Sequence, residues 1–177
     1  MTQGRPDWRD PEALLYASKR KLEIAKFHRG KFDECSSPRD ARTLSLIEVQ
    51  AFFEGAIQAS VSCVLKATDA VGYKINTMPP DNQISFTPKQ YAEIRKKLNK
   101  ECYALRFNNI HHKERWKELK DLRNDIEHNY TIKNSTGSEW TIYFSSGLRD
   151  IVKAASEAIE YAENFYNFVK SHWTSFR

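Results

Sequence analysis

Apolar residues recur at three- and four-residue steps along most of this chain, a spacing that predicts helices. The first such run holds Leu14, Leu15, Ala17, Leu22, Ala25 and Phe27. It follows Asp10-Pro11-Glu12: an Asp to cap, a Pro for the first helical position and an acid near the positive helix end. Gly30 is a natural stop, so the first helix is expected over residues 11–29. A connection with Ser36-Ser37-Pro38 leads to a longer pattern over about 40–72. Its apolar positions run from Leu44 through Ile47, Phe53, Ile57, Val61 and Val64 to Val71, with Ala56, Ala59, Ser60 and Ser62 as small neighbours. So broad a stripe predicts the central helix of a bundle or part of a subunit interface. Gly55 marks a close helix contact or a bend.

Pro79-Pro80-Asp81-Asn82 breaks the pattern, and Thr87-Pro88 restarts it. Tyr91, Ile94, Leu98, Cys102 and Leu105 then predict a third helix over 88–107, ended by a turn at Asn108-Asn109. Trp116, Leu119, Leu122 and Ile126 form the narrow stripe of a fourth helix over 111–128. The period then changes. Thr131-Ile132-Lys133, a polar turn and Trp140-Thr141-Ile142-Tyr143-Phe144 predict a β-hairpin within 131–146. A last helix over 147–172 would bury Val152, Ala155, Ile159, Ala162, Tyr166 and Val169. The expected fold is mainly α: a helical bundle of four to five helices, with a small β-hairpin between the fourth helix and the last. Residues 1–9 are polar and predict a loose tail, with Trp8 to pin it.

Composition narrows this picture. A chain of 177 residues fits one domain with its own core. Hydrophobic residues make up 40%, with 10 Phe, 8 Tyr and 4 Trp, which argues against wholesale disorder. The net charge of +5 and pI near 9.0 permit an anionic partner such as RNA, and equally suit an ordinary surface. Cys35, Cys63 and Cys102 are odd in number and far apart, which fits neither a disulfide framework nor a zinc knuckle. No segment reads as a leader or a membrane span, so a cytoplasmic protein is expected.

The densest candidate chemistry lies in Arg123-Asn124-Asp125-Ile126-Glu127-His128-Asn129-Tyr130. Arg123 is a permanent cation whose planar fork suits phosphate oxygens. His128 gives or takes a proton near neutral pH, and the negative end of the helix dipole favours its protonated form. Asn124, one turn before His128, shares its helix face and both donates and accepts hydrogen bonds. The plain reading is also coherent. Arg123 and Glu127 then form an exposed i, i+4 ion pair worth about 0.3–0.5 kcal/mol, and Asn129 ends the helix. Arg106-Phe107-Asn108-Asn109-Ile110-His111 repeats the Arg-to-His spacing but lacks a polar residue after Arg and a Tyr after His.

The combination at residues 123–130 resembles the Arg-polar-x-x-x-His signature of the HEPN superfamily, helical proteins that include many metal-independent endoribonucleases. The His-x-Tyr ending at Tyr130 is similar to that of HEPN toxins paired with nucleotidyltransferase antitoxins. The resemblance implies an HEPN-like bundle that cleaves RNA through its own 2′-hydroxyl, with no cofactor and no metal. It implies His128 as acid or base, Arg123 as phosphate clamp and Asn124 as the group that orients either. One motif carries one His, whereas the reaction has two proton-transfer roles. HEPN nucleases generally solve this as homodimers, so a homodimer is expected. The resemblance further implies a toxin or antiphage defence role, an antitoxin partner and Tyr130 as the residue it modifies. The hairpin after Tyr130 departs from the minimal toxins. The rival reading is a non-catalytic HEPN-like domain that binds nucleotide, RNA or a protein partner.

Other clusters carry less. Lys113, Arg115, Lys117 and Lys120 precede the motif and would extend a phosphate-binding surface, with Lys120 nearest. Arg95, Lys96, Lys97 and Lys100 read as a solvated face or an RNA track. His111-His112 point about 100° apart on a helix and seldom bind one metal unaided. Trp140, Tyr143 and Phe144 fit hairpin packing or base stacking.

Overall fold

The computed structural model describes residues 9–35, 46–75, 77, 79, 86–104, 109–128, 131–135, 139–144 and 147–176. The chain is mainly helical. The described helices are α1 (Pro11–Cys35), α2 (Leu46–Lys74), α3 (Pro88–Ala104), α4 (Asn109–His128) and α5 (Ile151–Ser171), followed by a 3-10 turn at Trp173–Ser175. Between α4 and α5 lie β1 (Thr131–Ser135), β2 (Glu139–Phe144) and β3 (Gly147–Asp150), antiparallel in that order. Ile132 pairs with Ile142, and Tyr143 with Leu148. The tail expected over 1–9 lies outside the described residues apart from Arg9, and Trp8 lies outside them too.

Two helix starts follow directly from the sequence. Asp10 Oδ1 accepts the Glu12 amide at 3.1 Å, so Pro11 opens α1 behind a side-chain cap. Thr87 Oγ1 accepts the Gln90 amide at 3.3 Å while Gln90 Oε1 accepts the Thr87 amide at 2.9 Å. This reciprocal box satisfies two amides that the first turn of α3 would leave without partners.

Other boundaries differ from expectation. Gly30 does not end α1, which continues to Cys35. A helical glycine costs about 1 kcal/mol relative to alanine, and tertiary contacts offset it here. Phe32 packs against the core, and Arg29 donates to the Val152 carbonyl at 3.0 Å and to Ser156 Oγ. The start of α5 moves from 147 to Ile151 because residues 147–150 pair with β2. Asn109 opens α4 rather than sitting in a turn before it. Phe27 was expected on the packed face of α1 and is 59% exposed. The buried line is Leu14, Ser18, Leu22 and Ala25, and Phe27 falls roughly 200° further round than Ala25.

α2 is the central helix: it packs against α1, α3, α4 and α5. Its small residues Ala56, Ala59, Ser60, Ala67 and Ala70 are buried along with Phe53, Ile57, Val64 and Val71. A helix apolar around most of its circumference belongs in a core. Gly55 marks a close contact rather than a bend. A Cβ there would stand 2.6 Å from the His28 ring of α1. Gly72 plays the same part against α3, where a Cβ would meet Ile94 Cδ1 at 2.6 Å.

The core divides into two clusters along α2. One joins α1, α4 and α5 around Leu22, Ile57, Leu122, Ile126 and Ile159. The other joins α1, α3 and the end of α5 around Leu14, Val71, Ile94, Leu98 and Val169. Three buried hydroxyls inside this core are satisfied. Ser18 donates to the Cys63 carbonyl, Ser60 to Ala56 and Thr68 to Val64, each at 2.8 Å. No helix among the described residues is long and apolar enough to cross a membrane.

Candidate functional site

α4 carries the motif, and its packing decides where each motif residue stands. Leu119, Leu122 and Ile126 are buried against the first core cluster, with Trp116 partly buried beside them. Lys120, Asn124 and His128 follow at i, i+4 and i+8, which places them on one flank away from that stripe. Lys120 and Asn124 are exposed. His128 is the last residue of α4, but its side chain lies outside the described residues, as do Asn129 and Tyr130 entirely.

Arg123 stands differently. One residue step is about 100°, so Arg123 projects between Leu119 and Trp116. It is half-buried and engaged by an interaction within the chain. Its side chain is long enough to lay its aliphatic stem along the packed stripe and carry its charge to the rim. The structure therefore brings Lys120 and Asn124 onto one open face and sets Arg123 at its margin. The meeting of Arg123 with the His128 imidazole falls outside the described side chains.

The surrounding charges are mixed. Arg115 and Lys117 are exposed on α4, as are Arg95, Lys96 and Lys97 on α3, while the side chains of Lys100 and Lys113 lie outside the described residues. The groove between α4 and α5 encloses about 550 Å³, including its open side. Arg115 lines it, and so do Glu118 and Glu157. It is thus no uniformly cationic track. His111 and His112 lie in the first turn of α4 with side chains outside the description, as are those of Trp140, Tyr143 and Phe144 in β2. No group of three or more His, Cys, Asp or Glu able to hold a metal ion occurs among the described residues.

A second space opens where α2, α3, α4 and α5 converge. It encloses about 770 Å³, including its mouth. Val64, Leu98, Trp116, Tyr161 and Phe165 supply much of its wall, and Arg95 and Lys120 are the cations on its lining. Nothing in the sequence reading pointed to it. Trp116 reads as core and Arg95 as a solvated face, and neither label is wrong for its own helix. The cavity exists only through the juxtaposition of four helices, which no linear spacing records.

Two polar pairs, one half-buried and one buried, complete the site's surroundings. Tyr91 donates to Asp69 Oδ1 at 2.7 Å across the α2–α3 contact. Burial pushes the Asp69 carboxyl up from its ordinary range, against the opposing pull of the Tyr91 hydrogen bond and Lys66. Burial and Asp69 together push the Tyr91 phenol up. Cys63 is fully buried beside Ser18, and burial pushes its thiol up to about 11. It reads as a core residue, not a nucleophile.

The chain matches no protein-family model, no curated protein and no solved structure.

Proposed function

We propose that this protein is a metal-independent endoribonuclease of HEPN type, acting as a homodimer whose shared cleft holds two copies of residues 123–130. The observation that carries the reading is the placement of exposed Asn124 one turn beyond exposed Lys120, late on a helix of a mainly helical chain. The motif resemblance supplies the rest.

In this reading the RNA 2′-oxygen attacks the adjacent phosphorus and the bond to the 5′-oxygen breaks. A 2′,3′-cyclic phosphate and a 5′-hydroxyl result. One His128 takes the 2′-proton and its symmetry mate protonates the leaving oxygen. Arg123 and Lys120 neutralise the developing phosphoryl charge, and Asn124 orients the phosphate or the imidazole. The strands after Tyr130 are an insertion relative to a minimal HEPN toxin. An antitoxin that modifies Tyr130, and a role in defence, belong to the same proposal.

A second reading is favoured by Arg123, which is half-buried and already engaged. An arginine half-buried and engaged within the chain suits a non-catalytic HEPN-like domain that binds nucleotide, RNA or a protein partner.

Mixed RNA incubated with the full chain in excess chelator separates the two. The nuclease reading expects cleavage by the wild type and a loss of about 100-fold or more in His128→Ala and Arg123→Ala, the usual weight of an acid–base or charge-stabilising group. A substrate lacking 2′-hydroxyls should stay intact. Cutting of that substrate rules out the chemistry. Intact RNA with a folded, dimeric wild type leaves the binding reading.

A further inference from the structure

The space at the seam between the two core clusters belongs to neither of them and shares only Lys120 with the nuclease reading. Val64, Tyr161 and Trp116 come to it from the first cluster, and Leu98 and Tyr91 from the second. We propose that this cavity binds a small amphipathic anion, an apolar body carrying one carboxylate-like head, with the head at Arg95 and Lys120.

Wall chemistry gives the body. The space of about 770 Å³ includes open solvent at its mouth, so it sets only an upper bound on what fits. Trp116 stacks on Tyr161 at 6.5 Å and 18°, and Tyr161 on Phe165 at 6.3 Å and 28°. These three rings form a continuous aromatic wall, closed on other sides by buried Val64 and Leu98.

Charge gives the head. Arg95 and Lys120 line the cavity, and among the described residues no carboxylate does. Arg95 spends its Nε proton on the Tyr91 carbonyl at 3.2 Å, which fixes the guanidinium and leaves its terminal N–H groups to donate elsewhere. Lys120 Nζ lies 5.7 Å from the Trp116 ring centroid, beside the aromatic wall. Neither cation forms a salt bridge with any described residue.

Hydrogen bonding decides between kinds of anion. The Thr68 hydroxyl donates to the Val64 carbonyl at 2.8 Å, and the Tyr91 hydroxyl donates to Asp69 at 2.7 Å. These two donors are spent within the fold, and the rest of the described lining is mostly aliphatic and aromatic carbon. A nucleobase would bring several polar edges against few polar groups, a cost that an aliphatic or phenyl body does not carry. The wall therefore favours a fatty or aromatic acid over a nucleotide.

The test uses the full chain, with 8-anilinonaphthalene-1-sulfonate as fluorescent probe and decanoate, decanol and AMP as competitors. The probe should bind one per chain, and decanoate should displace it. Decanol has the same body without the charge and should compete about tenfold less well, the weight of a charge-assisted hydrogen bond. Arg95→Met with Lys120→Met should weaken decanoate by a similar factor or more. Leu65→Trp should fill the space and abolish binding with the helical circular dichroism retained. The proposal is overturned if the folded chain does not bind the probe. It is equally overturned if the Arg95/Lys120 double variant binds decanoate as the wild type does, or if AMP competes better than decanoate. No arm contains RNA, so the result stands apart from the nuclease question.

Discussion

α2 and α4 are both long helices in one bundle, and they are built for opposite purposes. α2 is buried on nearly all sides, with small residues admitting α1 and α3 to within contact of its backbone. α4 is buried along the single line of Leu119, Leu122 and Ile126, and its flank from Lys120 to Asn124 is open. The difference assigns roles. Substitutions in α2 should change whether the chain folds, and those on the open flank of α4 should change what the folded chain does.

The largest expected effect lies in α2. Ile57 is fully buried in the first core cluster. Ile57→Ala should cost about 2–5 kcal/mol by urea denaturation, through lost apolar transfer and the cavity left behind. Gly72→Val should destabilise too, since its Cβ has no room beside Ile94 and Phe86. If Ile57→Ala unfolds at the wild-type urea midpoint, α2 is not the organising helix and the comparison fails.

The contact between α2 and α3 gives the next largest effect. Tyr91→Phe removes the hydroxyl that supports the half-buried Asp69 carboxylate, and should cost about 1–3 kcal/mol at neutral pH. The pH dependence has a fixed sign. Asp69 has a folded pKa raised above its usual 3.8, so the unfolded chain releases this proton first as pH rises. Asp69 therefore withdraws stability between 3.8 and its higher folded value, and the loss persists above that. Asp69→Asn should flatten this segment of a stability–pH curve measured by chemical denaturation. A curve with unchanged slope would show that Asp69 is not buried as described.

Cys63 offers a chemical rather than an energetic probe. With its thiol pushed up to about 11 and no exposed surface, it should resist iodoacetamide at pH 8 in the folded chain. Peptide mapping should find it alkylated only after denaturant is added. Rapid labelling in the native state would mean that the seam of α1, α2 and α5 opens readily, and α2 would lose its claim to be the rigid member of the pair.

The helical architecture was largely legible because it depends on local signals. Asp10-Pro11 and Thr87-Pro88 announced their helices, and the capping contacts are the physical form of those signals. The stripe Leu119, Leu122, Ile126 gave the packed face of α4 without ambiguity. What failed to show was decided by distant partners. Gly30 reads as a stop unless Phe32 and Arg29 are known to engage the core and α5. Phe27 reads as core unless the line through Leu22 and Ala25 is known to be the one facing α2. The site was legible as a set of residue types. Its angular arrangement depends on which line of α4 is packed, which puts Arg123 between Leu119 and Trp116 at the margin of the face that carries Asn124.

The smallest expected change in stability is the most informative one for function. Asn124 is exposed on the open flank of α4. Asn124→Ala replaces it with the best helix former, and exposed substitutions of this kind usually stay within about 0.5 kcal/mol. The urea midpoint should therefore barely move, while RNA cleavage under the nuclease reading should fall by about tenfold or more, the weight of one lost hydrogen bond to a charged group. Together with Ile57→Ala, this makes a paired test. Per folded molecule, the α2 variant should cut RNA normally and the α4 variant should not. If Asn124→Ala destabilises the chain as much as an interior change does, the flank of α4 is covered in the native particle. A second copy of the chain would then be the natural cover, and the destabilisation should grow as the protein is diluted.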